Sequence, residues 1–579
     1  MNNLSTLSVK LASVPAAECA DQFISLLKST LLTTSPERNH KRKKSNSFPQ
    51  NTWFDEECKQ AKRIFKKSAM KLKADPDNML LRDLAWKNRR NYKNLIRQKK
   101  RNIISKLHTE LKEFKSKNPR EFWRKIANAT STNTDDKEIP VSTDRLGAYF
   151  ESLLTGSEVR SHAVPPHNSE TNPILDDPIE EEEVRAAISC LKKNKAPDLD
   201  GLSPTAFKLF NSDLISFTTI LFNRLLEQGI FPDSWSSGAI KPIYKKGCKE
   251  DPNNYRGITL LPILSKLFTA ILRERIQYWA DINDKINDAQ FGFRQGRRTT
   301  DPLFIMSIAI QHHKKGKQHY TPALLILLRP STLAVNHGLL WSKLASMGLS
   351  GRMLKILQSM YGKATSRVVA NGTMSPTFHC SKGVRQSCNL SPLLFSLFIC
   401  DLESHLSANN SGSIQLGSKK AHLLLFADDL ALLADSHSGL QTSIDLLEEY
   451  CLTWDLKINI DKTKTVAFNN KKGGPHFTLS LSPLEATNEY KYLGIVLSDT
   501  GSLRPAILTL ANQTRKACFS LLKSLSHLSY PNPSLQCYLF DSLVRPVAEY
   551  GCEIWGYARA EELEVIHRRF CKSALGVPI

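Results

Sequence analysis

Two adjacent acids, Asp428 and Asp429, interrupt the apolar run "LLLFADDLALLA" at residues 423–434. A buried charge costs several kcal/mol unless something pairs with it. The apolar runs on either side have the length of strands, so the pattern predicts a β-hairpin with both acids at its tip. Adjacent carboxylates repel each other, and hard oxygen ligands suit Mg²⁺. The stretch therefore predicts a metal site, although Asp is also common in plain polar turns.

Basic and amide side chains elsewhere in the chain have the chemistry to hold a nucleotide. Residues 237–268 predict a strand, a basic turn, a second strand and a helix, with Lys245 in the turn and Arg256 on re-entry. Gln386 precedes a predicted helix, where its amide can contact a base or a sugar. Lys462 follows a predicted short strand. Each segment is also compatible with an ordinary core strand or a surface loop.

The charge balance favours a polyanionic partner. The 579 residues carry a formal net charge of +23, and nucleic acid is the commonest partner of such a protein. Residues 59–106 hold 17 Lys or Arg against three Asp and predict two helices broken near "ADPDN". A solvated charged face is the alternative to phosphate contacts. The predicted nucleic-acid contacts are Lys87, Arg89, Arg90, Lys93, Arg97, Lys99, Lys100 and Arg101.

Other features limit the class of protein and its location. The twelve cysteines show no spacing of a zinc site, so free thiols in a reducing compartment are expected. No stretch reaches the ~18 apolar residues of a membrane span, and the first residues do not form a signal peptide. The short basic run at 41–44, "KRKK", favours a nuclear over a cytoplasmic location.

Changes in composition predict the domain organisation. Residues 1–52 are expected to be a disordered leader, 53–130 a basic helical extension, and 131–178 a polar linker. Beyond the linker, strands and helices alternate, which predicts an α+β body.

The order of the motifs resembles the reverse transcriptase of non-LTR (LINE-type) retrotransposons. The motifs are "NKAPDLDG", "GIFPDSW", "NYRGITLL", "AQFGFRQGRRTTD", "GVRQSCNLSPLLF", "FADD", "KINIDKTK" and "YKYLG". The resemblance implies a right-hand polymerase with fingers at 179–320, palm at 321–500 and a partial thumb at 501–579. It also implies an RNA template with a DNA primer, or an RNA–DNA hybrid, and two Mg²⁺ ions. The chain is expected to be a partial copy, without an endonuclease domain.

The resemblance implies a role for each candidate residue. Asp428 and Asp429 would bind the metal ions and act in catalysis. Arg256 and Lys245 would contact the incoming triphosphate. Gln386 would position the template or the nucleotide. By the same resemblance, Lys462 would protonate the leaving pyrophosphate.

One departure from the family changes the functional prediction. The family carries a third carboxylate on an apolar strand before "GLLWSKL", and here that position is Leu327. Residues 317–400 contain no Asp or Glu that could replace it. Such a group bridges both ions of a two-metal site, so its loss predicts an impaired polymerase. Smaller departures are Ser387, Asn389 and the pair Asp198–Leu199.

Three alternatives remain open from the sequence. The chain could be a working polymerase that tolerates the change, a non-catalytic protein that binds RNA or DNA, or a non-functional relic.

Overall fold

The computed structural model describes residues 14–34, 54–129, 138–156, 171–192, 195, 197–315, 324–328, 335–385, 388–409, 411–468, 476–526 and 532–578. Gln386, Ser387 and the basic run 41–44 lie outside these ranges. The chain divides into two compact units. The first unit contains residues 1–38 and 138–502, and the second contains residues 39–137 and 503–579.

The helices and strands of the described residues are named in chain order. The helices are α1 (Ala16–Thr34), α2 (Glu56–Ala74), α3 (Met79–Lys117), α4 (Pro119–Ala129), α5 (Thr143–Leu154), α6 (Pro173–Asp176), α7 (Glu181–Cys190), α8 (Pro204–Phe207), α9 (Ser212–Gln228), α10 (Asp233–Ser236), α11 (Ile263–Ile282), α12 (Thr300–Lys315), α13 (His337–Ser346), α14 (Gly351–Gly362), α15 (Ser391–Phe398), α16 (Leu402–Ala408), α17 (His437–Thr453), α18 (Arg504–Ser526), α19 (Pro533–Leu543), α20 (Arg545–Ala548), α21 (Cys552–Trp555) and α22 (Glu561–Leu575). The strands are β1 (Ser237–Tyr244), β2 (Tyr255–Leu260), β3 (Leu324–Leu328), β4 (Thr365–Ala370), β5 (Thr373–Met374), β6 (Phe378–His379), β7 (Ile414–Leu416), β8 (Lys419–Ala421), β9 (Leu423–Phe426), β10 (Asp429–Ala434), β11 (Lys464–Ala467), β12 (Thr478–Leu479), β13 (Ser482–Pro483), β14 (Glu485–Ala486), β15 (Glu489–Tyr492) and β16 (Ile495–Ser498).

Two five-stranded sheets organise the first unit. In one sheet the order is β2-β1-β4-β5, and β6 also pairs with β4. The other sheet has the order β14-β11-β3-β10-β9. Its strand β10 pairs antiparallel with both β9 and β3. Successive residues of β10 lie on opposite faces of this second sheet.

The large core of the first unit lies against one face of that second sheet. Leu430 and Leu432 of β10 belong to the same buried cluster as Leu425 of β9. Helices α9, α11 and α15 add Phe222, Phe268 and other apolar side chains to this cluster. The mixture of helices and mostly antiparallel strands confirms the predicted α+β class.

The second unit is helical in its described residues. Asp55 caps the start of α2, where its side chain accepts a hydrogen bond from the N–H of Cys58. Asn78 caps the start of α3, where its side chain accepts a hydrogen bond from the N–H of Leu81. The two helices predicted around "ADPDN" are thus confirmed. Ile104 and Leu111 of α3 share a buried cluster with Leu539 and Phe570 from the C-terminal helices. The basic extension and the last helices of the chain therefore form one core.

The predicted disordered leader is wrong for residues 16–34, which form α1. Phe23 is fully buried, and its ring centroid lies 4.7 Å from that of Phe217 in α9. Lys28 pairs with Asp200 at 2.9 Å. The many Ser, Thr and Pro residues around this helix concealed an apolar face at helical spacing.

The predicted linker at 131–178 also contains helices, α5 and α6. Ser142 accepts a hydrogen bond from the N–H of Arg145 and so begins α5. Leu146 and Phe150 are buried against residues of the first sheet, including Ile240 and Val368. The polar composition of the surrounding residues hid this short amphipathic helix.

None of the described helices is both long enough and apolar enough to cross a membrane.

Candidate functional site

The two adjacent acids lie at the tip of a hairpin, as predicted. Asp429 is the first residue of β10 and pairs with Phe426 of β9. Ala427 and Asp428 form the turn, and Ala427 has a left-handed backbone with φ of 57°. The Asp428 side chain is exposed, whereas Asp429 is half-buried. Burial raises the pKa of Tyr492, and the charge of Asp429 raises it further. The phenol of Tyr492 therefore lies near the Asp429 carboxylate.

The segment at residues 289–292 holds this hairpin tip in place. The N–H of Leu425 donates to the carbonyl of Ala289 at 2.8 Å, and the N–H of Phe291 donates back to Leu425 at 2.8 Å. The Oε1 atom of Gln290 accepts from the N–H groups of Gly292 at 2.8 Å and of Ala427 at 3.1 Å. Gln290 is only 1% exposed. The strained turn is thus stabilised by a buried side chain from outside the hairpin.

Gly292 permits this close approach because it has no side chain. A Cβ atom at this position would lie 2.3 Å from the backbone nitrogen of Ala427, which is closer than any real contact. The "AQFG" segment is therefore a positioning element, which the sequence indicated only as part of a family motif.

Position 327 lies in the middle of the same sheet. In β3 it stands opposite Ala431 of β10 on one side and Lys464 of β11 on the other. Directly opposed residues share a sheet face, and so do alternate residues of one strand. Position 327 therefore lies on the same face as Asp429. The position expected to carry the third carboxylate is well placed for it but carries leucine.

Lys462 lies at the end of a short 3₁₀ turn, Ile460–Lys462, immediately before β11. A strand is predicted before Lys462, but the described residues 456–459 form none. Asn459 instead caps the 3₁₀ turn by accepting a hydrogen bond from the N–H of Lys462. The Lys462 side chain is exposed. Its neighbour Lys464 is ion-paired with Glu485.

A cleft of about 1220 Å³ opens beside the hairpin tip. Its lining includes Asp428, together with Arg256 of β2, Lys266 of α11 and Arg385. Lys245 instead lines a smaller cavity, which it shares with Arg256. Of the predicted nucleotide-binding residues that the structure describes, Arg256 therefore lines both the cleft and the smaller cavity.

Asp198 occupies a cleft position where the family motif has glycine. Its carboxylate accepts hydrogen bonds from the N–H groups of Leu202 at 2.9 Å and of Ile263 at 2.8 Å. Burial raises the pKa of Asp198, and burial lowers the pKa of the neighbouring Lys266. Asp198 thus accepts a hydrogen bond from the first N–H of α11 and places an acid in the cleft.

A second candidate surface follows one face of α3 in the other unit. Arg90, Lys93, Arg97 and Arg101 follow one another at spacings of three or four residues, and so they form a single stripe. All four are exposed. Trp86, four residues before Arg90, is 66% exposed on the same stripe. Cations beside an exposed aromatic ring suit phosphates and bases.

The other predicted contacts on α3 lie outside this stripe. Lys87 and Arg89 are exposed, and Lys100 is half-buried. Lys99 differs, because its Nζ atom lies 2.7 Å from carboxylate oxygens of both Asp55 and Glu57. This contact lowers the pKa of Asp55. Lys99 therefore joins α3 to the start of α2 and is already neutralised.

Among the residues that the structure describes, no group of three or more His, Cys, Asp or Glu side chains is arranged to hold a metal ion. Asp428 and Asp429 stand as a pair.

Residues 243–497 match the family of reverse transcriptases (RNA-dependent DNA polymerases). The RNA-directed DNA polymerase from mobile element jockey of Drosophila funebris is 27% identical over 464 residues, which are 77% of this chain and 49% of that protein. The chain therefore carries a reverse transcriptase domain, and it is similar to RNA-directed DNA polymerases of mobile elements. The predicted resemblance is confirmed.

A second curated relative is similar over a comparable share of the chain. The probable RNA-directed DNA polymerase from transposon BS of Drosophila melanogaster is 28% identical over 69% of this chain and 45% of that protein. The chain thus spans about half the length of these curated relatives. A telomerase structure from Candida albicans aligns with a TM-score of 0.36 at 11% identity, covering 69% of this chain and 78% of that one.

The matched region contains Lys245, Arg256, Lys462 and the Asp428–Asp429 pair. Reasoning from the sequence missed two residues that lie at this site, Gln290 and Arg385, and it named Asp198 only as a departure from the family. Only their inclusion in family motifs marked them, since neither periodicity nor charge distinguishes one buried Gln or Arg from its neighbours.

Proposed function

We propose that this reverse transcriptase domain binds an RNA–DNA hybrid and a nucleotide but does not polymerise DNA with the sequence as written. The observation that carries the proposal is the register of β3. Position 327 shares the sheet face of Asp429, and it holds an apolar residue where a two-metal site needs a carboxylate.

The acids present do not complete such a site. Two ions need several anionic ligands on different elements to keep them a fixed distance apart. Here Asp428 and Asp429 both come from one hairpin tip. Lys464, the basic residue opposite position 327, is ion-paired with Glu485. Mg²⁺ therefore has too few anionic ligands to form the two-ion arrangement.

Two groups of cationic side chains support the binding part of the proposal. Arg256, Lys266 and Arg385 line the cleft beside Asp428, where cations can hold the phosphates of a nucleotide. The stripe on α3 offers four exposed cations and Trp86 for a nucleic-acid strand. The proposed partners are an RNA template with a DNA primer, or their hybrid.

The proposal is tested on one preparation of the full chain. Fluorescence anisotropy with a labelled RNA–DNA hybrid measures binding, and primer extension with Mg²⁺ and then with Mn²⁺ measures polymerisation. We expect salt-sensitive binding and no extension with Mg²⁺. Extension that disappears in Asp428→Ala would instead show a working polymerase. A chain without a cooperative unfolding transition would favour a relic.

A further inference from the structure

The most exposed large apolar side chains of the described residues are concentrated at two places. Six of them are more than 70% exposed, namely Met70, Met79, Leu80, Leu209, Leu452 and Leu481. Met70, Met79 and Leu80 flank the bend between α2 and α3, whereas Leu452 lies near the end of α17 and Leu481 at the tip of the β12–β13 hairpin. A single exposed leucine is ordinary, but apolar groups that share a surface indicate contact with another molecule.

The hairpin of β12 and β13 holds Leu481 in a costly conformation. Its two turn residues, Ser480 and Leu481, both have left-handed backbones, with φ of 49° and 61°. Hairpin turns of this kind favour Asn and Gly, because a residue with a larger side chain is strained there. Leu481 is 98% exposed, so packing within the described residues does not offset the strain.

α17 supplies the contacts that hold this hairpin, all from one of its faces. Gln441 donates from Nε2 to the carbonyl of Thr478 at 3.0 Å and accepts from the N–H of Thr478 at 3.2 Å. Both carboxylate oxygens of Glu448 accept from Ser480, at 2.9 Å from its N–H and at 2.6 Å from its hydroxyl. Leu452 lies one helical turn beyond Glu448 on this face. The hairpin and α17 therefore present their exposed leucines on one surface.

The surroundings of these leucines are acidic, although the whole chain is basic. Residues 421–456 contain seven Asp or Glu and no Lys or Arg, against a net charge of +23 for the chain. Asp445 and Glu449 are exposed on α17. Together with Leu452 and Leu481 they are called the acidic surface below. Such a surface repels nucleic acid and attracts a cationic partner.

The bend between α2 and α3 has the complementary chemistry. Residues 62–74 hold six Lys or Arg and no Asp or Glu. Lys66 precedes Met70 by four residues, so both lie on one face of α2, and both are exposed. Met79 and Leu80 begin α3 directly after the bend. These four side chains are called the basic bend, and they combine positive charge with apolar groups that adapt to a partner surface.

We propose that the acidic surface of one chain binds the basic bend of a second copy of the same chain. Their charges are opposite, and between them they hold five of the six most exposed apolar side chains. Because the two surfaces differ, the contact is head-to-tail, and it can form twice between two chains or repeat along a series of chains. The inference goes beyond the proposed function, since neither surface shares a residue with the cleft or with the stripe on α3.

Sedimentation velocity of the full chain over a range of concentrations measures the association. Nuclease treatment comes first, so that bound nucleic acid does not link two basic chains. We expect a concentration-dependent dimer or larger species that dissociates as salt is added, because the contact pairs opposite charges. A chain that stays monomeric at low salt overturns the proposal.

Leu481→Gly separates association from stability. It should weaken association about tenfold or more, because an apolar side chain is no longer buried in the contact. It should not lower the unfolding midpoint, since glycine adopts the left-handed turn without strain. Leu209→Gly is the matched control, because Leu209 is as strongly exposed but lies outside both surfaces, and it should associate like the parent chain. Unchanged association in Leu481→Gly overturns the proposal.

Charge reversal shows which surfaces meet. Glu449→Lys and Lys66→Glu should each weaken association several-fold. The chain that carries both changes should regain much of the lost association, because the facing charges are opposite again. Failure of the double variant to recover excludes contact between these two surfaces and overturns the proposal.

Cross-linking distinguishes contact between copies from contact within one chain. A carbodiimide joins carboxylates to lysine amines in a mixture of unlabelled and isotope-labelled chains. Cross-links between the acidic surface and the basic bend should include pairs of one labelled and one unlabelled peptide. Cross-links found only between peptides of the same label would place the contact within one chain and overturn the proposal.

Discussion

The cationic side of the cleft and the acidic hairpin tip beside it differ in how many elements of the fold contribute their charged residues. On the cationic side, β2, α11 and the segment before α15 each contribute a basic residue, Arg256, Lys266 and Arg385. On the acidic side, Asp428 and Asp429 both come from the hairpin tip beside the cleft, and the neighbouring strand carries Leu327 on the sheet face of Asp429. On the proposed function, the binding of phosphates and metal-dependent chemistry depend on different elements, and the domain keeps the first without the second.

The largest expected effect is on primer extension, and it comes from restoring a carboxylate at position 327. Replacing residues 326–333 by "IDLRAAFD" should raise primer extension with Mg²⁺ by orders of magnitude, because a carboxylate returns to the sheet face of Asp429. Leu327→Asp alone should restore little, since Pro330, Thr332 and Leu333 are also unlike the family. Primer extension on the same template measures all of these chains.

Asp428→Ala in the repaired chain is the control and should abolish the gain. A repaired chain that folds and binds the hybrid but still fails to extend would shift the cause to Ser387 or Asn389.

A smaller effect is expected from the stripe on α3. Changing Arg90, Lys93, Arg97 and Arg101 to Gln should weaken RNA–DNA hybrid binding. It should also reduce the slope of log affinity against log salt by about three, because each phosphate contact contributes roughly 0.7–0.9 to that slope. Anisotropy titrations between low and moderate salt give the slope. Lys99→Gln is the control on the same helix, and its salt slope should equal that of the parent chain. An unchanged slope in the fourfold variant would exclude the stripe from the interface.

The hairpin tip itself should be sensitive to Gly292. Gly292→Ala places a Cβ atom against the backbone of Ala427, and it should lower the free energy of unfolding by about 2 kcal/mol. Gly362→Ala is the matched control, because nothing lies within 4 Å of its Cβ position. Denaturant titration compares the two. Equal stabilities would mean that residues 289–292 do not hold the tip.

The smallest effect concerns the pH dependence of the cationic side. Burial lowers the pKa of His337, and the nearby charge of Arg385 lowers it further. Below about pH 6.5 His337 therefore binds a proton more readily in the unfolded chain than in the folded chain. The free energy of unfolding consequently falls as the pH drops, by at most about 1.4 kcal/mol per pH unit. His337→Gln should flatten the pH dependence between pH 5 and 6.5. A variant curve as steep as that of the parent chain would assign this dependence to other groups.

Local patterns predicted several elements of this protein correctly. The hairpin at 423–434, the hairpin that carries Arg256 and the two basic helices follow from strand-length apolar runs, turn residues and helical periodicity. The same reasoning missed α1 and α5, because their apolar faces are short and lie within polar sequence. It also treated Lys99 as a nucleic-acid contact, since the carboxylates that neutralise it come from residues more than forty positions away.

The sequence by itself determined which chemical groups are present: the acid pair at the hairpin tip, the leucine at position 327 and the cationic helix. The tertiary structure decided which of these groups meet. It placed position 327 on the sheet face of Asp429, joined α3 to the C-terminal helices and placed Arg385 in the lining of the cleft. The physical reason is that strand and helix periodicity arise from contacts between near neighbours in the chain, whereas charge pairing and burial depend on residues that only the folded chain brings together.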